Sequence, residues 1–523
     1  MVSPLGFWRI LRLGRAGFIM AREGVFLDID PAIAPPALQP FFPLLTRLAK
    51  KGARNRADAL AAAMTRLGPS YVKLGQFLAT RPDVVGMRAA RGLEALQDRM
   101  PPFPREEAIR IVEAAFGAPL AQTFATFGEP VAAASIAQVH RATVKDEDGE
   151  RAVAVKIMRP GIERRFRRDL ADMAYAAQLA ERNSAEARRL RLGEVVETVA
   201  RSVKLEMDFR LEAAAASEFA QNVGADDEFR VPQVDWVRTA RDVLTSEWID
   251  GVPLSDIAAL RAAGFDLPKL GREVIQSFLR HAVRDGFFHA DMHPGNLFAD
   301  RNGKVTAVDF GIMGRLGPAE QRFLAEILYG FITKDYMRVA RVHFEAGYVP
   351  KTQNVAEFAQ AIRAIGEPIH SRTADQISMA KLLTLLFEIT GLFDMRTRTE
   401  LVLLQKTMVV VEGVGRSLDP QLNMWKTAEP VLADWIADNL GPAGKMRDAG
   451  DALGNLARAL QRAPQMMDRL EALVENMNAA QMQGVTLSPE TVAALQNAQT
   501  RANRWTGWPL WLAAALAVYM LLR

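Results

Sequence analysis

Residues 289–296 read His289-Ala290-Asp291-Met292-His293-Pro294-Gly295-Asn296, and residues 309–311 read Asp309-Phe310-Gly311. The first run sets a carboxylate five positions ahead of an amide; the second places another carboxylate after a short apolar run at 305–308. Upstream, Ala152-Val153-Ala154-Val155-Lys156 is a strand pattern closed by a lysine. Phosphoryl transfer needs a cation on the phosphates, oxygen ligands for Mg²⁺ and a carboxylate near the attacking oxygen. Lys156, Asn296 with Asp309, and Asp291 supply these in turn. Any one of the three motifs is unremarkable alone. Their order and spacing together make a strong signal.

Working outward, residues 130–144 and 152–158 form two short β-type runs joined by the charged stretch Lys145 to Arg151, which reads as a hairpin. One long helical section, 166–221, follows, then a strand pair near 231–237 and 243–248. Beyond Gly251 the pattern is helical except near 288–310. A small β-rich lobe with one long helix, a connector and a larger helical lobe is the order of a protein kinase. The expected fold class is therefore α+β, kinase-like and bilobal. Asp291 is expected at the catalytic position and Asn296 and Asp309 on metal. His289 and His293 are four apart, but Pro294 forbids a helix there, so a zinc pair is not expected. His289 reads as the scaffold histidine of the loop.

Two features depart from an ordinary kinase. The glycine-rich loop is missing: Val131-Ala132-Ala133-Ala134-Ser135-Ile136-Ala137-Gln138-Val139 stands in its place. Glycines let backbone amides approach phosphates and adopt positive φ, and each alanine Cβ restricts both. Upstream, Lys73-Leu74-Gly75-Gln76 lies on a helix that starts near Pro69, with Lys73 and Gln76 sharing a face. On the long helix, Glu206-Met207-Asp208 precedes Phe209 and Glu212. These carboxylates are candidates to pair with Lys156 or Lys73, and either Glu206 or Glu212 suits Lys156.

K-x-G-Q, the A-A-A-S loop, E-x-D before D-F, H-x-D-x-H-P-G-N and D-F-G together resemble the UbiB family of atypical kinases, over roughly residues 67–316. The resemblance implies a protein-kinase-like fold and support of ubiquinone biosynthesis at a membrane. It implies that Lys73 and Gln76 belong to a lid over the site where a protein substrate would bind, with Glu206 and Asp208 as the lid's E-x-D partner. It puts Lys156 on the phosphates of ATP or ADP, Asp291 in catalysis, and Asn296 with Asp309 on Mg²⁺. Glu247-Trp248, after the last small-lobe strand, falls where an adenine-contacting hinge belongs.

The remaining sequence bounds the setting. The chain has 523 residues, 49% hydrophobic and 24% charged, so several folded units are expected. It has no cysteine, which excludes disulfides and thiolate chemistry. A net charge of +4 suits a surface near anionic lipid or nucleotide and argues against nucleic acid. The expected organisation is a helical, proline-rich region over 1–66, a K-x-G-Q extension over 67–125, the two lobes over 126–249 and 250–440, and a Met-rich helical tail over 441–504. The last unit, 505–522, is WTGWPLWLAAALAVYMLL, eighteen uncharged residues bracketed by Arg504 and Arg523. At about 1.5 Å per residue it reaches ~27 Å, near the ~30 Å of a hydrocarbon core. A C-terminal transmembrane helix is therefore expected. It would anchor the body on the cytoplasmic side of a bacterial-type inner membrane. Relatives commonly end in two spans; one is defensible here, and pairing in a homodimer is compatible with it. No signal peptide is read at the N-terminus. Its arginines at 9, 12 and 15 fit either a helix docked on the body or one lying on the membrane surface.

Three functions compete. The first is an ATPase whose cycle assists membrane-buried quinone precursors or the enzymes that act on them. The second is a small-molecule or lipid phosphotransferase, and the third a nucleotide-switched scaffold. The complete set of phosphate-site residues argues against the scaffold, and the K-x-G-Q element against the small-molecule kinase.

Overall fold

A computed structural model of the chain describes residues 4–27, 42–50, 59–79, 87–94, 100–147, 149–183, 185–224, 226–370, 392–395 and 399–441, with a few single positions between them. The chain divides into two compact units, Met1–Ile436 and Ala437–Arg523, and the site lies wholly in the first.

The small lobe is built on strands β1 (Thr126–Ala133), β2 (Ala137–Asp146) and β3 (Gly149–Met158). Pairing of β2 with β3 is continuous from Ala137↔Met158 to Asp146↔Gly149, so the charged turn is the expected hairpin. Strand side chains alternate between faces. Val153, Val155 and Ile157 are therefore fully buried against Ala108 and Val112 of helix Arg105–Phe116, and Lys156 projects from the opposite face. That alternation aims the lysine at the site.

Between 231 and 237 the expected strand is absent. Pro232 removes a ladder donor, and Asp235 caps a short 3-10 turn at Trp236–Arg238 by accepting from the Arg238 amide. Only Phe229–Arg230 (β4) is a strand there, and Val243–Glu247 (β5) completes the sheet in the order β1-β2-β3-β5.

The expected single helix over 166–221 is four: Ile162–Asn183, Ala185–Leu190, Leu192–Glu206 and Phe209–Val223. Arg191 sits at φ 50°, outside helical space. Asp208 adopts an extended φ of −132° and its carboxylate accepts from the Arg210 amide. Asp is a strong helix N-cap because its short side chain competes for backbone N–H groups. The break at 207–208 decides which carboxylate goes where.

Around the K-x-G-Q motif stand three helices, Ala59–Leu67, Pro69–Ala79 and Met87–Glu94. Pro69 opens the second, as its fixed φ favours. Met64, Leu78, Leu93, Leu96 and Val195 form their core, which ties them to helix Leu192–Glu206. A Cβ on Gly75 would stand 2.4 Å from Leu96 Cδ1, so the motif's glycine is where these elements meet.

In the large lobe, β6 (Gly251–Pro253), β8 (Leu297–Asp300) and β9 (Val305–Ala307) extend from β4 in the order β4-β9-β8-β6. A second ladder pairs β7 (Phe287–His289) with β10 (Met313–Arg315). These strands bracket the loop 290–296 and the segment 308–312. Helices Leu267–Arg280 and Thr399–Leu418 pack beneath, contributing Val274, Phe278, Met408 and Val411 to one core with Leu297, Val305 and Ala307.

Among the described residues no helix is long and apolar enough to cross a membrane. The Met-rich tail and the apolar segment 505–522 lie outside the described residues.

The β7–β10 register sets Gly314 opposite Phe288, and a Cβ there would fall 2.1 Å from the buried Phe288 ring. Gly314→Ala is expected to destabilise the protein by about 1–3 kcal/mol through overpacking beside the 290–296 loop. Denaturant melts of wild type and variant check it; equal stability would mean the ring moves freely.

Candidate phosphate-transfer site

The loop 290–296 is held from every side. His289 lies buried, its Nε2 donating to the Val308 carbonyl at 3.2 Å and its Nδ1 accepting from the Asp291 amide at 3.1 Å. Those partners assign the tautomer, and burial lowers its pKa so that the ring stays neutral. Thr407 Oγ1 donates to the Ala290 carbonyl at 3.0 Å from below. The Asn296 side-chain amide donates to the Asp291 carboxylate and carbonyl, both at 3.1 Å. The scaffold role read for His289 is what the geometry shows.

Asp309 occupies the left-handed region at φ 64°, which Asp tolerates better than most residues. Phe310 is buried against His289 and Phe219, with centroids at 5.4 and 5.7 Å. This seat fixes the backbone on either side and brings Asp309 to Lys156. Lys156 Nζ donates to Asp309 Oδ1 at 3.1 Å and to both Glu212 oxygens at 2.7 and 2.9 Å. Glu212 is thus the partner of Lys156, and Glu206 is not.

Glu206 instead pairs with Lys73 at 2.7 Å, each side chain 12% exposed. Gln76 lies almost one turn further along the same helix, half buried. Asp208 meets neither lysine: its carboxylate takes Arg210 at 2.8 and 2.6 Å while capping the helix. The three carboxylates therefore serve three different cations, a division set by the helix break at 207–208.

Electrostatics at the cluster are unbalanced, with two carboxylates around one ammonium. Burial raises the Asp309 pKa, but Lys156, and more remotely Lys73, outweigh it and hold the group down at about 2. Its side chain, hemmed in by protein, is still 47% exposed and open to an incoming cation. Glu212 is more enclosed. Burial and the like charge of Asp309 prevail over Lys156 and push it up to about 7. Lys156 is itself lowered by burial but raised further by both carboxylates, so it stays charged.

The alanine-rich segment is a tight hairpin tip, with the Ala134 amide donating to the Ala137 carbonyl at 2.8 Å. Val131 and Ala132 are exposed, Ala133, Ala134 and Val139 half-buried, and Ser135, Ile136, Ala137 and Gln138 buried. Ile136 packs with Met158, Phe166 and Phe209, drawing the tip into the core. The Gln138 side chain is committed to both main-chain groups of Phe103. Arg159, which the sequence did not single out, donates from Nε to the Ala134 carbonyl and from a terminal nitrogen to the Pro101 carbonyl, both at 2.8 Å. It clamps the hairpin to the extension. At the expected hinge, the Glu247 and Trp248 amides already donate to Gln233 and Ala152. The Glu247 carboxylate takes Arg230, and the Trp248 ring carries the Arg141 guanidinium at 5.1 Å.

Fold and site together define an atypical kinase-like protein, and residues 95–343 match the ABC1 atypical kinase-like domain. Residues 362–423 match the UbiB helical domain. The chain belongs to the UbiB family: it is 38% identical over 502 residues to "Probable protein kinase UbiB" of Marinobacter nauticus, covering 95% of this chain and 90% of that one. The protein of the same name from Azotobacter vinelandii is 38% identical over 493 residues, with 90% and 89% covered. A solved structure of a Mycobacterium tuberculosis protein in complex with erythromycin shares 26% identity at a TM-score of 0.47, covering 77% of this chain and 98% of that one.

The Glu212 shift predicts a pH signature of the ligand-free protein. A carboxyl raised from 4.5 to about 7 contributes stability that is full below the lower value and lost as pH rises through the upper one. Melting temperature between pH 5 and 8 should contain a falling component in wild type that Glu212→Gln lacks. Parallel curves would contradict the assignment.

Proposed function

We propose that this protein binds Mg-ATP at the Lys156–Asp309 cluster and uses it to support ubiquinone biosynthesis at a bacterial inner membrane. The observation that carries the reading is Lys156 held between Glu212 and Asp309, beside the fastened 290–296 loop. Family membership supports the quinone setting.

The residues present suit magnesium. Mg²⁺ is usually held by one or two carboxylates and the substrate's phosphates, without an all-protein cage. Asp309 stays ionised, remains accessible and shares one ammonium with a second carboxylate. Asn296 would be the second ligand. Bound there, the metal would neutralise charge on the phosphates. Lys156 positions the phosphates, and Glu212 orients the ammonium. Asp291, held by Asn296 and its own amide's bond to His289, accepts the proton of the attacking oxygen.

The attacking group is read as water or a hydrophobic substrate rather than a protein side chain. Lys73–Glu206 fastens the K-x-G-Q helix beside the cluster, near enough that Lys73 helps keep Asp309 ionised. That supports an ATPase assisting quinone precursors or their enzymes over a protein kinase.

Asp309→Asn is expected to abolish the thermal shift that Mg-ATP produces in wild type, because an amide cannot neutralise the metal as a carboxylate does. The same variant should fail to restore quinone content in a strain lacking the gene. An undiminished shift sinks the metal assignment, and full restoration sinks its importance for function.

A further inference from the structure

The helix Pro4–Glu23 has two differently built faces. Inward, Arg12 forms a two-point pair with Asp172 at 2.5 and 2.9 Å, and Arg9 reaches the same carboxylate at 3.3 Å. Ala16, Ile19 and Glu23 are buried, and Glu23 is neutralised by Lys50 at 2.6 Å and Arg66 at 2.8 Å. The helix is thus docked on helix Ile162–Asn183, the first of the two readings its sequence allowed.

Outward, Leu11, Arg15, Phe18 and Arg22 follow one another turn by turn on a single stripe. Leu11 is 48% and Phe18 47% exposed. The segment 42–50 runs alongside, joined by the Lys50 amide donating to the Arg22 carbonyl at 3.0 Å and by Phe42 against Phe26. It adds Leu44 at 58% and Leu48 at 39% exposure, with Arg47 between them. Glu23 is the one acid in residues 4–27 and 42–50, and it is buried, so every charge these segments expose is positive. No described carboxylate pairs with Arg15, Arg22 or Arg47.

We propose that this stripe, with the adjoining 42–50 segment, is a docking surface for a bilayer carrying anionic phospholipids. The proposal rests on the membrane setting of the function proposed above and assigns the surface that meets the membrane. Protein interfaces gather apolar side chains at a core depleted of charge. Here cations alternate with apolar residues along two adjoining segments, as in helices that lie at the headgroup level with leucine and phenylalanine immersed and arginines on phosphates. Docking there would hold the nucleotide site against the membrane independently of any anchor elsewhere in the chain.

The chain has no cysteine, so Leu44→Cys introduces a single thiol that takes an environment-sensitive fluorophore. In full-length protein the probe should shift to the blue with phosphatidylcholine vesicles carrying phosphatidylglycerol, and much less with phosphatidylcholine alone. High salt should reverse the shift. A probe at Val237→Cys, 82% exposed on the small lobe, should not respond. Replacing Arg15, Arg22 and Arg47 by glutamine should raise the anionic lipid needed by about fivefold per cation, roughly a hundredfold for all three, with unchanged melting. If the protein floats with vesicles while the Leu44 probe stays in water, the membrane setting stands and this surface is wrong. A shift indifferent to lipid charge, or shared by the Val237 probe, also overturns the proposal. A protein that neither floats nor shifts overturns both readings.

Discussion

Lys156 carries one positive charge between two carboxylates, Glu212 at 2.7 Å and Asp309 at 3.1 Å. Three ionisable groups this close, with Lys156 and Glu212 largely enclosed, are costly to bring together, and they are tolerable only because each is hydrogen-bonded to another. Three elements bring these groups together. The β2–β3 hairpin aims the lysine by alternation, and helix Phe209–Val223 carries the glutamate. The seat of Phe310 brings in the aspartate.

The same constraint explains the division of labour among carboxylates. Glu206 and Glu212 are six residues apart, yet one pairs with Lys73 and the other with Lys156. The helix break capped by Asp208 separates them, so each helix end aims its own glutamate. Had the segment continued as one helix, residues six apart would project from widely different sides, but without the break that lets Leu192–Glu206 pack with the K-x-G-Q helix. Arg159 makes a second link, from the alanine hairpin to Pro101. Lys73 and Pro101 thus tie the 67–125 stretch to helix Leu192–Glu206 and to the alanine hairpin.

Much of this was legible in the residues. The motif spacing agrees with the contacts that join Lys156 to Asp309 and Asn296 to Asp291. The hairpin was legible because alternation and a charged turn agree. The helix break was not: a helical period over 166–221 hides a single Asp that prefers capping to continuing. Choosing between Glu206 and Glu212 depended on that break, so the sequence left both open. The false strand at 231–237 came from reading apolar alternation past Pro232. Arg159 offered no signal, since an arginine after a strand is ordinary; its role exists only through carbonyls brought to it by the fold. Burial of the hairpin tip was likewise invisible, because small residues suit exposed and packed turns alike.

The central claim is that two carboxylates share one ammonium in this cluster until a magnesium nucleotide arrives. Glu212, pushed up to about 7, is then partly protonated near neutrality and should lose that proton when the metal offsets Asp309. Calorimetric titration of Mg-ATP near pH 7 in two buffers of different ionisation enthalpy measures this directly. The account predicts a fractional proton released on binding in wild type and none with Glu212→Gln. Binding heats identical in both buffers, or no binding by the wild-type protein, would contradict it.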